Sequence, residues 1–141
     1  MIDADRFNLF GFLLGAAFQI QDDVLNLIGD RSLYGKEILG DIWEGKRTLM
    51  LVHTLENCAA SEREQLQQIF SVPREQRTGR DVEWVFRLFE RYGSIDFARA
   101  TLRAMVDAAL EEFDIAFRDA SGLADRDFIR ELIPYLGDRD I

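Results

Sequence analysis

Cysteine is almost missing from this chain. Cys58 stands alone among 141 residues. An intrachain disulfide is therefore excluded, and so are thiolate metal sites of the zinc-finger kind, which need several sulfur ligands. The usage points to a reducing, cytoplasmic setting. Basic residues are also short, 17 against 26 acidic, which leaves a net charge of -9. A general nucleic-acid binder needs a basic face for the phosphates, so no nucleic-acid partner is expected. Histidine occurs once, at His53, with no second His or Cys at ligand spacing, and a hydrogen-bonded structural role is expected for it. The most apolar run, Leu9 to Ile20, falls short of the roughly 20 residues that a spanning helix needs. It also runs straight into Gln21, Asp22 and Asp23, so it reads as a buried core helix, with no transmembrane segment or signal peptide evident.

Proline is confined to positions 73 and 134, β-branched runs are scarce, and no strand-like alternation, repeat or low-complexity tract is found. What is present is helical periodicity nearly throughout. The chain is 48% hydrophobic with 11 Phe, enough for one core built on bulky helix–helix packing. The expected fold class is an all-α helical bundle of one domain. A first helix is expected from Asp3 or Asp5 to Ile28, stopped by Gly29. A loop covers residues 30–40, and a second helix runs from Asp41 to Asn57. Ser61 reads as the N-cap, with Glu64 as capping-box partner, of a helix to Phe70. Residues 71–80 form a polar loop carrying Arg74, Arg77 and Arg80, read as solvated. Asp81 caps a helix with Val85, Leu88, Phe89 and Tyr92, which stops at Gly93. Ser94 caps a long helix with the stripe Ile95, Ala98, Leu102, Met105, Ala109, Phe113 and Phe117. The last helix starts near Asp125 and carries Phe128, Ile129, Leu132, Ile133 and Leu136. Trp43 and Trp84 read as packing residues.

The chemistry concentrates between Phe18 and Lys46. Helical spacing lines up Gln19, Asp22 and Asn26, with Asp23 bordering that face. Val24, Leu25 and Ile28 turn the other way, toward the core. Two carboxylates and an amide oxygen are hard ligands suited to Mg²⁺. Carboxylates on an otherwise apolar helix are costly unless something compensates them. Gly35-Lys36 then sets a cation after a flexible turn, and Asp41, Glu44, Gly45, Lys46 and Arg47 follow. Lysines are point-charge partners for phosphate oxygens. No GxxxxGK[ST] P-loop is present. The pattern suggests a magnesium-bridged diphosphate site. Gly11 and Gly15, each costing about 1 kcal/mol against Ala in a helix, read as places where a neighbouring helix or a ligand comes close.

FQIQDDVLN followed by GD, then YGKEILGD and EGKRTLMLVH, resembles the second aspartate-rich region of the polyprenyl synthetase family, the trans-isoprenyl diphosphate synthases. The likeness is dense from Phe7 to His53 and looser to the end, and it corresponds to the second half of the usual family chain. The resemblance implies head-to-tail prenyl transfer, in which an allylic diphosphate held by Mg²⁺ ionises and is attacked by isopentenyl diphosphate. It implies Asp22 as the leading metal ligand, Asp23 beside it, and Asn26 where the family's DDxxD has its last Asp. It implies Gln19, Lys36 and Lys46 on the diphosphate and Phe18 on the isopentenyl side. Asp22, Asp23, Lys36 and Lys46 are thus the expected catalytic set. No first DDxxD is present. The chain therefore reads as a prenyltransferase half, with a homodimer or a partner chain supplying the other half. The alternative is a non-catalytic truncated product or an accessory subunit docking on a complete synthase.

Overall fold

The computed structural model describes residues 4–29, 39–118 and 123–137. They form an all-α structure. The elements are α1 (Ala4–Ile28), α2 (Gly40–Glu44), α3 (Leu49–Asn57), α4 (Ala60–Ser71), a 3₁₀ turn (Arg74–Gln76), α5 (Gly79–Arg91), α6 (Ser94–Ala116) and α7 (Leu123–Gly137). Among the described residues no helix is long and apolar enough to cross a membrane, and the Leu9–Ile20 run is part of α1.

The chain divides into two compact units, and the division falls within α1 and within α6. The first comprises α1 up to Gln21, α6 from Ala100 and α7. Its core joins Phe10 and Ala17 to Leu102, Val106, Ala109, Phe113 and Ile133. The α6 members recur at helical spacing, as the apolar stripe requires, with Val106 in the place expected for Met105. Phe10 and Phe113 meet at 5.3 Å between ring centroids, and Phe113 meets Phe117 at 4.6 Å. The rim is held by Arg6, whose Nη1 donates to both oxygens of Glu112 at 2.8 and 2.9 Å. Arg130 closes a two-point fork on Asp114 at 2.7 and 2.9 Å. The last helix departs from expectation. Of its apolar residues Ile133 is buried, while Phe128, Ile129 and Leu132 are exposed. Gly11 and Gly15 are exposed too, and a Cβ at either would meet nothing within 4 Å among the described residues. The close approach expected there is not made by this part of the chain.

The second unit runs from Asp22 to Arg99. Helix α5 packs against α2 and α3 and buries Val82, Val85, Leu88 and Phe89. Met50, Leu51, Leu66, Ile69, Val24, Leu27 and Ile42 are also buried in this unit. On α1 it is Leu27, not Ile28, that joins Val24 inside. The expected helix 41–57 is two helices. Gly45, in the left-handed region at φ 71°, ends α2, and the hydroxyl of Thr48 then caps α3 by accepting Leu51 N–H at 3.4 Å. Caps elsewhere sit slightly upstream of their expected places. Ala59, not Ser61, precedes α4, and Glu62 accepts its N–H at 3.2 Å. Thr78, not Asp81, caps α5 in a reciprocal box with Asp81. Ser94 is fully buried, and its hydroxyl bonds Thr54 at 2.7 Å and His53 Nδ1 at 2.9 Å. The His53 ring stacks on Phe97 at 4.2 Å, so its role is structural and hydrogen-bonded, as expected.

Two outcomes test this packing. Phe113→Ala should lower stability in urea unfolding by about 3–5 kcal/mol, whereas exposed Phe128→Ala should change it by less than about 0.5 kcal/mol. The Arg130 hydrogen bond holds the Asp114 carboxyl below its usual range. The pair therefore contributes fully above the ordinary Asp value near ~4 and loses its contribution as pH falls through the lower folded value. An acid-unfolding series of Arg130→Gln should show a shallower loss of stability across that window than the parent chain.

Candidate functional site

The site is built where α1 ends and the chain returns. Successive residues on a helix point about 100° apart, and this separates the aspartate pair. Asp22 is exposed, while Asp23 is 5% exposed. Three residues on, Asn26 receives the returning chain. Its carbonyl accepts Leu39 N–H at 3.1 Å, and its side-chain Oδ1 accepts Asp41 N–H at 2.9 Å. Leu39 stands in the N-cap position of α2 with φ 63° and has no side-chain acceptor to offer. Asn26 supplies that missing cap from another helix.

Because α2 stops at Gly45, Lys46 leaves the helix there, with its N–H on Asp41 O at 2.9 Å. Its ammonium reaches Asp23 Oδ1 at 2.5 Å and lies 3.4 Å from Asp41 Oδ2. A buried carboxylate without a cation would be strongly disfavoured, and a charge-assisted bond of this kind compensates it. Burial alone would pull Lys46 down, yet the bonds and charges of Asp23 and Asp41 outweigh it, and its pKa is raised. Burial raises the Asp41 carboxyl, assisted by the negative charges of Asp23 and Asp22 and opposed by Lys46. Asp41 Oδ2 is buried with no hydrogen-bond partner among the described residues.

The structure thus gathers Asp23, Asn26 and Lys46, with Asp22 beside them, and adds Asp41, which the sequence marks only as a helix start. Asp41 sits five residues before Lys46, a separation that helical spacing does not pair. Phe18 and Gln19 lie earlier on α1 and are exposed. Lys36 lies outside the described residues. Lys36 and Lys46 are the only lysines of the sequence, every other basic position bar His53 being arginine. Arg77, read as solvated, is buried at 7% exposure and donates to four backbone carbonyls.

The oxygen donors suit Mg²⁺, which keeps several waters and takes one or two carboxylates together with substrate phosphates. Exposed Asp22 meets that requirement. Asp23 already serves Lys46, and Asn26 Oδ1 already accepts one hydrogen bond. Among the described residues no group of three or more His, Cys, Asp or Glu is placed to hold a metal ion by itself. A site of this composition fits the metal when the remaining ligands come from a bound diphosphate or from another segment.

Residues 2–89 match the polyprenyl synthetase family. The chain belongs to that family. It is 37% identical over 106 residues to a short chain isoprenyl diphosphate synthase of Methanothermobacter thermautotrophicus, a match that covers 75% of this chain and 31% of that relative. The fold superposes on the geranylgeranyl pyrophosphate synthetase of Pyrococcus horikoshii with a TM-score of 0.77 at 32% identity, covering 96% of this chain and 39% of that one. A likeness in fold alone, TM-score 0.76 at 24% identity, links it to a geranylgeranyl pyrophosphate synthase from Corynebacterium glutamicum solved with isoprenyl diphosphate and magnesium, over 96% of this chain and 37% of that one. The chain therefore spans less than half the length of these prenyl synthases.

The unequal burial of the two aspartates and of Lys46 has a measurable consequence. Lys46→Met strands the Asp23 carboxylate and should cost about 1–2 kcal/mol in urea unfolding, below the figure for a fully buried pair because Lys46 is 38% exposed and partly screened. Asp22→Asn at the exposed neighbour should leave stability within about 0.5 kcal/mol.

Proposed function

We propose that this chain supplies the second aspartate-rich, magnesium–diphosphate half of a prenyl diphosphate synthase, which condenses an allylic diphosphate with isopentenyl diphosphate head to tail. The observation that carries the reading is the division of labour in the aspartate pair: Asp22 is exposed, and Asp23 is buried against the lysine that a diphosphate would meet. Asp22 would hold Mg²⁺, with Asn26 and Asp23 as lesser contributors. The metal, when bound, neutralises charge that builds on the leaving diphosphate.

The chain's own residues do the positioning. An ammonium has three N–H donors. Asp23 and Asp41 lie against the Lys46 ammonium, and a remaining N–H is available to a diphosphate oxygen. A cation fixed before substrate arrives needs no reorganisation when charge develops, which is where such groups act most strongly. Lys36 is assigned to the same diphosphate, Gln19 to the allylic diphosphate, and Phe18 to the isopentenyl side. The partner is a segment or chain carrying the first aspartate-rich motif. A second reading, a docking subunit without its own chemistry, draws on the exposed Phe7, Leu9, Phe12 and Phe18 of α1, a larger apolar surface than a helix facing only water requires.

Mixing the purified chain with a polypeptide that carries the first-motif half of a synthase should yield magnesium-dependent condensation of an allylic diphosphate with isopentenyl diphosphate. Asp22→Asn should lower the rate by about 100-fold, and a chelator should abolish it. Association without product at saturating Mg²⁺ would favour the docking reading.

A further inference from the structure

Arg77 joins two segments that are distant in sequence. Its Nε donates to Ile69 O at 2.9 Å, and its Nη2 to Val72 O at 2.7 Å and Phe70 O at 3.4 Å. These are carbonyls at the C-terminal end of α4, where the helix offers no donors of its own. Nη1 donates to Trp43 O, in the last turn of α2. The planar fork of arginine can serve both places at once. A lysine, with one nitrogen, could not.

Gly45 is an independent sign of the same contact. A Cβ at this position would lie 2.5 Å from Arg77 Nη2 and 3.0 Å from its Cζ. The backbone crosses the guanidinium so closely that a Cβ would force it to shift, and it does so one residue before Lys46. Arg74, on the same loop, adds an ion pair to Glu44 and lies 5.8 Å over the Trp43 ring. The 71–80 loop thus braces the end of α2, and the end of α2 determines where Lys46 leaves it.

We propose that Arg77 is a positioning residue for Lys46, holding the 45–48 turn so that the ammonium stays on Asp23 and faces the diphosphate. The diphosphate part rests on the reading of Lys46 given above; the part about geometry does not. Because the chain has two lysines, its ¹⁵N-labelled form should give two side-chain ammonium signals, assignable with Lys36→Arg and Lys46→Arg. The Lys46 signal should be protected from exchange in the parent chain and lose that protection in Asp23→Asn, in Arg77→Met and in Arg77→Lys, with helical circular dichroism unchanged.

Calorimetric titration of inorganic pyrophosphate in Mg²⁺ supplies the second reading. Arg77→Met should weaken binding roughly tenfold, the scale of a lost orienting contact. Lys46→Gln should weaken it as well, and the double variant should bind no worse than Lys46→Gln alone, because Arg77 acts through Lys46. A protected Lys46 signal in folded Arg77→Met and Arg77→Lys overturns the proposal, as does full additivity in the double variant. If the parent chain binds no pyrophosphate, the diphosphate role of Lys46 fails, and the ammonium signal alone decides the role of Arg77. Should Arg77→Met not fold, Arg77→Lys carries the test. Failure of both to fold overturns it, since Arg77 would then support the whole unit rather than one turn.

Discussion

A carboxylate at 5% exposure has to be answered by a cation, and the contact between Asp23 and Lys46 is that answer. The local architecture of the second unit follows from bringing those two residues together across the returning chain. Helix α2 must be short, because a longer one would carry Lys46 around its axis. Gly45 must take a left-handed conformation to end it. Thr48 must restart the chain as α3, and Asn26 must cap α2 from α1 because Leu39 cannot. Each is a small term. Together they place one ammonium in one position, and among the described residues they leave Asp41 Oδ2 buried with no hydrogen bond, facing the Lys46 ammonium at 3.4 Å.

The chain divides its cations by task. Arginine does the structural work: Arg6 on Glu112, Arg130 on Asp114, Arg91 on Glu62 and Arg77 on backbone carbonyls. A planar guanidinium suits fixed two-point contacts, whereas lysine is a compact charge on a flexible stem. Lysine appears only at 36 and 46, the two positions proposed above to meet a diphosphate. In a chain of net charge -9, a local cation beside the aspartates also offsets a field that would otherwise repel an anionic ligand.

Much of the fold was legible because helix formation is mostly local. The end of α1 at Ile28, the apolar spacing along α6 and the existence of α5 follow from periodicity and stop residues. Expectation and structure part where a short-range signal competes with a contact made elsewhere. The spacing of Leu49, Leu51, Val52 and Leu55 continued smoothly from Asp41, and nothing nearby announced that Gly45 would turn left-handed over a guanidinium from residue 77. Arg77 itself looked like one of three loop arginines. Its burial depends on where α4 ends and α2 ends, and neither is written near it.

The sequence by itself determined the class of the protein: an all-α chain of the polyprenyl synthetase family, with acids and both lysines concentrated between Asp22 and Lys46. It did so because periodicity and motif are properties of neighbouring residues. The tertiary structure alone decided that Asp22 and Asp23 have different surroundings, that Asp41 joins them, and that Arg77 is buried beneath Gly45. Those outcomes depend on which segments meet after the chain turns back, and burial and pairing are properties of that meeting.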